Sequence, residues 1–233
     1  LFEEAQSLGV KVVDIVGAGE PTLDTNFESL IDILTQLNFY SVVFTHGATP
    51  LFQNINKLSF YKEKPISFFI KLWSQKEQLQ NKYVQGSLKN YTHMRDKTLA
   101  HLKELGFMQE DTNEIDGIIR RTTRVGADIL VMKSNYDEIP DIFRYCRENN
   151  IMPEIKTYIP EGPTRFDHEQ GYFNNLSLST RSELKEDEIS PQQFAQLRNK
   201  LEEIDEKEYG NKNLPYFYPQ AVFCTQSMAS LYV

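Results

Sequence analysis

Along the first 160 positions, short apolar runs alternate with stretches whose apolar residues recur at intervals of three and four. Leu1, Phe2, Ala5 and Leu8 have helical spacing, and Gly9 is placed to stop that helix. Residues 10–16 then read as a buried strand. Asp24 or Thr25 caps a second helix with its stripe at Phe27, Leu30, Ile31, Leu34 and Leu37. Residues 40–45 predict a strand, 50–58 a short helical stretch and 66–72 another strand. Residues 75–91 are polar and read as a loop with some helix. Met94, Leu99, Leu102 and Leu105 mark a helix closed by Gly106, and 127–132 a strand. Ile139, Ile142, Phe143 and Cys146 form the next helical stripe, and 152–158 the next strand. Helices and strands in strict alternation predict an α/β fold with a parallel sheet and right-handed crossovers.

After residue 163 the pattern changes. Residues 164–189 are polar with no clear strand. Phe194, Leu197, Leu201 and Ile204 lie on one face of a charged helix, and 210–220, with Pro215, Pro219 and aromatics, reads as an extended linker. The runs rich in Glu and Lys at 183–188 and 202–208 read as exposed helix surface. The 233 residues suffice for one large or two small domains. A net charge of −8 argues against broad contact with nucleic acid or an anionic membrane. No apolar run approaches the ~20 residues that span a bilayer, and no signal peptide is visible. Cys146 and Cys224 are too few for a disulfide framework, so a cytoplasmic location is expected. The chain opens on Leu1 inside a helical pattern and closes on Val233 inside a strand-like one, which predicts a piece of a longer protein.

The chemistry concentrates where strands end. Gly17-Ala18-Gly19-Glu20-Pro21-Thr22 follows the first apolar run directly. Two glycines, a carboxylate and a proline at a strand end let the backbone approach a ligand, at the sheet edge where α/β folds bind theirs. The same segment also reads as a tight turn with Glu20 favouring a helix N-terminus. Thr45-His46-Gly47 and Lys71-Leu72-Trp73-Ser74 close the next two strands. Their plain readings are a capped turn, a lysine snorkelling from a strand end and a serine capping a helix. Asn135 reads as a helix cap, and Glu154 as a strand residue paired with a core lysine. Cys146 has the spacing of a core residue. Arg120, Arg121 and Arg124 read as a solvated face, with binding of an acidic substrate the alternative.

Together these strand ends resemble the radical SAM superfamily, and within it the members with a SPASM-type extension. Gly17–Thr22 matches the family's Gly-Gly-Glu-Pro-Thr with one alanine for glycine; Thr45-His46-Gly47 stands where Thr-Asn-Gly is common; Lys71–Ser74, residues 127–140 and Met152-Pro153-Glu154 resemble later strand ends. The resemblance implies a partial (β/α)6 barrel, TIM-like, over 1–163, a helical and linker region over 164–220, and the start of an auxiliary iron–sulfur region over 221–233. It implies reductive cleavage of S-adenosylmethionine at a [4Fe-4S] cluster, with hydrogen abstraction from an unidentified substrate; the subgroup often modifies peptides or proteins. By this resemblance Gly17, Ala18, Gly19, Glu20 and Pro21 bind the amino end of S-adenosylmethionine. Thr45 and His46 line its pocket, Lys71 and Ser74 take its carboxylate, Asn135 meets the ribose or adenine, and Glu154 meets a ligand hydroxyl. Cys224 is the expected ligand of an auxiliary cluster. An electron donor such as flavodoxin or ferredoxin is implied; nucleic acid and membrane partners are not. The family's Cys-x3-Cys-x2-Cys loop is absent from the sequence and is expected upstream of Leu1, so the chain alone is expected to be inactive. A (β/α)-barrel lyase or aldolase and a catalytically silent barrel scaffold are the alternatives.

Overall fold

The computed structural model describes residues 1–16, 19–84, 88, 90–115, 118–157, 187–210 and 217–218, with 111–122 and 217–218 described through their backbone only. The elements run α1 (Phe2–Ser7), β1 (Val12–Ile15), α2 (Phe27–Gln36), β2 (Tyr40–Thr45), α3 (Ile55–Ser59), β3 (Ile66–Lys71), α4 (Glu77–Tyr83) and α5 (Tyr91–Glu104). They continue with β4 (Asp111–Ile115), β5 (Ile118–Thr122), β6 (Val125–Val131), α6 (Ile139–Glu148), β7 (Met152–Thr157), α7 (Pro191–Tyr209) and the two-residue β8 (Phe217–Tyr218). The main sheet has the order β1-β2-β3-β6-β7-β8, all parallel, and curls into a half-barrel with helices alternating along it. Strands that neighbour in space in the order they occur in sequence wind in one direction. A TIM-like barrel does the same, and a doubly wound sheet does not.

Side-chain alternation gives this sheet two unlike faces. Val43, Phe68, Ile70, Ala127, Ile129, Val131 and Ile155 point to the helices and are buried in one continuous core with residues of α2, α5, α6 and α7. Each of these side chains larger than Ala127 contributes about 1.5–3 kcal/mol. The opposite, concave face is mixed. Register partners place Asp14 beside Val42 and Ser67, Phe44 beside Phe69 and Gly126, and Lys71 beside Asp128 and Glu154. The Tyr40 and Ser67 hydroxyls meet at 2.7 Å on that same face.

The structure departs from the sequence pattern in four places. Residues 10–16 are not a buried strand. β1 lies at the sheet edge, its residues are half-buried, and Val12 is 47% exposed. An apolar run carries no information on whether neighbours cover both sides. β4 and β5 pair as antiparallel strands, which polar, non-alternating residues gave no sign of. Within the 210–220 linker, Phe217 and Tyr218 pair with Ile155 and Lys156 as a sixth strand. The capping expectation for α2 shifts by one residue: Asn26 is the cap, and Asp24 accepts its N–H at 2.8 Å. Among the described residues no helix is long and apolar enough to cross a membrane.

Gly126 is required by a close approach. A Cβ there would sit 2.3 Å from the Phe69 ring, which packs at 5.0 Å against Phe44. Gly126→Ala is therefore expected to destabilise the fold by about 1–3 kcal/mol, the usual cost of overpacking. For a chain of this length each kcal/mol lowers the thermal midpoint by about 2–4 °C. An unchanged midpoint would mean that the Phe69 ring swings aside.

Candidate functional site

All parallel strands deliver their carboxyl ends to one rim. At that rim the Glu20 carboxylate ties its own turn to the end of β2. Its Oε1 accepts the Thr45 hydroxyl at 2.6 Å, the Thr22 hydroxyl at 2.7 Å and the Thr22 N–H at 3.3 Å. Its Oε2 accepts the His46 N–H at 2.9 Å and faces His46 Nε2 at 3.3 Å. A carboxylate with this many donors is a structural hub. Gly19 in that turn is exposed, with open space where a Cβ would stand. Pro21 starts a single 3-10 turn capped by Glu20. Gly17 and Ala18 lie outside the described residues.

His46 is set by its neighbours. Nδ1 accepts the Ala48 N–H at 2.9 Å, so the ring proton sits on Nε2, toward Glu20. Burial depresses the imidazole pKa and Lys71 adds to the effect, with Glu20 opposing both. The ring is therefore neutral near pH 7, which suits an Nδ1 acceptor. Thr45 is buried, and its Oγ1 also accepts the Gly47 N–H at 3.0 Å. Gly47 itself has φ +71°, a left-handed turn that glycine adopts without strain.

The end of β3 is held from both sides. Ser74 is fully buried; its hydroxyl donates to Glu138 at 2.7 Å and accepts the Lys76 N–H at 3.0 Å. Burial pushes Glu138 up, but hydrogen bonds from Lys76 and Ser74 outweigh it and hold the carboxyl below its ordinary value. Asn135 is fully buried too. Its amide donates to Trp73 O at 2.6 Å and Leu130 O at 2.8 Å, and accepts the Met132 N–H at 2.7 Å. Both side chains are engaged within the protein and tie β3 to β6. Lys71 is half-exposed on the concave face, its ammonium 5.4 Å from the Trp73 ring.

Deeper on the concave face, Lys156 Nζ lies 3.1 Å from Glu154 and 3.3 Å from Asp128, and 4.5 Å above the Phe44 ring. Burial pushes Glu154 up to about 7; Lys156 opposes this, and Asp128 and Asp14 add to it. Burial also raises Asp14. Burial alone would lower Lys156, but Asp128 and Glu154 outweigh it and raise the ammonium. Glu154 thus has the lysine partner that its plain reading expects, on the face that a ligand in the half-barrel would meet.

The curl, the rim and the open face correspond to a known architecture. No protein-family model matches the sequence, and no curated protein matches it. Solved structures do match. Streptococcus suis SuiB bound to S-adenosylmethionine superposes with a TM-score of 0.60 at 15% identity, covering 94% of this chain and 41% of SuiB. This chain shares the fold of the part of SuiB that it aligns with. A second SuiB crystal structure gives a TM-score of 0.59 at 16% identity, again over 94% of this chain and 41% of that one. TYW1 with a lysine-pyruvate adduct bound aligns with a TM-score of 0.49 at 21% identity, over 83% of this chain and 50% of that one. The chain spans 41% of SuiB's length.

The structure brings Gly19, Glu20, Thr45, His46, Lys71 and Ser74 to the rim shared with SuiB, with Asn135 beneath it and Glu154 on the concave face. Cys224 lies outside the described residues. Arg124 is no solvated arginine. Its guanidinium donates to the carbonyls of Tyr61, Lys62, Lys64 and Ile66 at the opposite end of the sheet. Cys146 is buried in the core, as its spacing predicts. Sequence reasoning missed Asp14, Asp128 and Lys156. The available signal was period two: each is a charged residue at an alternate position of an apolar strand, and all fall on one face. It also missed Tyr91, Arg95 and Glu138, which act on backbone groups distant in sequence, and Gln80, which accepts the Trp73 and Ser74 N–H groups.

Proposed function

We propose that this chain is the core of a radical SAM enzyme that binds S-adenosylmethionine across the strand ends of the half-barrel. One observation carries the reading. The Gly-Glu-Pro-Thr turn is locked by Glu20 onto the end of β2, beside open backbone at Gly19, in a fold shared with a protein crystallised with S-adenosylmethionine.

The rim residues suit that cofactor. Strand-end carbonyls near Gly19 accept from its ammonium, and Lys71 pairs with its carboxylate. Thr45 and neutral His46 shape the wall between them. Ser74 and Asn135 hold the rim in place. The concave face, with Phe44 and Phe69 flanked by Asp128, Glu154 and Lys156, receives the substrate. Curling the sheet around that face excludes water from the reacting atoms. A bound [4Fe-4S] cluster would supply the electron that splits S-adenosylmethionine and yields the radical that takes hydrogen from substrate.

Ligands for that cluster are not among the described residues. No three His, Cys, Asp or Glu side chains there are grouped to hold a metal, and Cys146 faces the core. We assign no step to them. In this reading the cluster cysteines lie elsewhere in the protein, Cys224 serves an auxiliary cluster, and the substrate is a peptide or protein. A small redox protein such as flavodoxin or ferredoxin supplies electrons.

The test is anaerobic reconstitution of the full-length protein with iron and sulfide, followed by reduction in the presence of S-adenosylmethionine. Formation of 5′-deoxyadenosine is the expected result, and the 233-residue chain alone is expected to yield none. A reconstituted protein that binds no S-adenosylmethionine would leave the silent scaffold as the better account.

A further inference from the structure

Helix α5 carries three side chains on one face, Tyr91, Arg95 and Thr98, at intervals of four and three. Each reaches a backbone carbonyl at the rim. The Thr98 hydroxyl donates to Gly47 O at 2.5 Å. Arg95 is 3% exposed, and its Nη1 donates to Ser74 O at 2.9 Å. Gln80 Oε1 accepts the N–H groups of Trp73 at 2.9 Å and Ser74 at 3.0 Å, and is itself held by Arg95 at 3.2 Å.

Tyr91 is the one that joins two strands. It is fully buried, and its hydroxyl lies 2.8 Å from His46 O and 2.9 Å from Lys71 O. A hydroxyl has a single proton, so the two carbonyls share it. Those carbonyls belong to the two residues that the proposed function places against S-adenosylmethionine. The β2–β3 pairing stops one residue earlier, at Thr45 and Ile70, so that ladder does not join His46 to Lys71, although Lys71 stays paired with Asp128 of β6. Without the shared proton, two carbonyl oxygens converge with nothing between them.

We propose that Tyr91 is a positioning residue: its hydroxyl sets the distance between the β2 and β3 ends, and thereby the affinity of the rim for S-adenosylmethionine. This rests on the proposed function above. Tyr91→Phe keeps the buried ring and its edge-on packing against His46 at 6.4 Å, and removes only the shared proton.

The experiment is calorimetric titration of S-adenosylmethionine into the full-length reconstituted protein, alongside 5′-deoxyadenosine formation over cofactor concentrations up to saturation. Tyr91→Phe is expected to raise Kd and KM about tenfold, the weight of one lost hydrogen bond in a buried site, with kcat within twofold of wild type. Arg124→Met, which strips four carbonyl contacts at the far end of the sheet, is the control. It should lower the thermal midpoint and leave Kd unchanged. Wild-type affinity in Tyr91→Phe would overturn the inference and leave the proposed function standing. Equal weakening by both variants would also overturn it, since general loosening would then be the cause. A wild-type protein that does not bind S-adenosylmethionine would overturn both.

Discussion

Glu20→Ala is expected to destabilise the protein by about 3 kcal/mol and to weaken S-adenosylmethionine binding by about 1–3 kcal/mol. The carboxylate accepts from two hydroxyls and two backbone N–H groups, and faces one imidazole nitrogen. Alanine leaves these donors facing a void. A buried donor left without an acceptor costs about 1–3 kcal/mol, and some of the loss is recoverable. Thr22 already shares its hydroxyl with Thr49 at 2.9 Å, so it can turn there. The His46 N–H is fixed by the backbone and cannot turn. Glu20→Gln separates these contributions. Its carbonyl can serve the His46 N–H while the two threonine hydroxyls rotate to accept from its amide, so it should cost about half as much. Urea unfolding of the three proteins measures the stability effect, and calorimetric titration measures the affinity. Equal stability of wild type and Glu20→Ala would show that the carboxylate is not the hub described here.

Glu154→Gln is expected to stabilise the protein at pH 8 and to do nothing at pH 4. Glu154 is 3% exposed, and burial raises its pKa to about 7 from an ordinary 4.5. The folded protein therefore holds its proton more tightly than the unfolded chain. Below about pH 4.5 both states are protonated and the residue is neutral to stability. Between about 4.5 and 7 the unfolded chain releases the proton first, so stability falls as pH rises. Above 7 the full penalty applies, about 3 kcal/mol at roughly 1.4 kcal/mol per pH unit. The charges that face Glu154 are Lys156, Asp128 and Asp14. In Glu154→Gln, Lys156 loses one partner and keeps Asp128 at 3.3 Å, so the observed gain should be about 2 kcal/mol. Thermal midpoints of both proteins between pH 4 and 8 check it. Parallel curves would mean that Glu154 titrates alike in the folded and unfolded chain, with no upward shift on burial.

The helix faces were legible because their rule is local. Ile31 and Leu34 of α2, and Ile142, Phe143 and Cys146 of α6, are buried as their spacing predicts. The turn at Glu20 was legible for a similar reason: two glycines, a carboxylate and a proline in one short stretch have few other uses. What Glu20 does there was not. Its acceptors serve Thr45 and His46, 25 and 26 positions away, and nothing in a local pattern states that pairing. Tyr91 was lost for the same reason, since its hydroxyl reaches back 45 and 20 positions.

By itself, the order of apolar runs determined an α/β chain with parallel strands. Backbone propensity and burial period act over a few residues, so a one-dimensional string records them. Only the tertiary structure decided that β1 is an edge, that Asp14, Asp128, Glu154 and Lys156 share one concave face, and which carbonyls Tyr91 joins. Those facts depend on sheet register and curl. Register and curl follow from contacts between segments far apart in the chain, and from the water those contacts exclude.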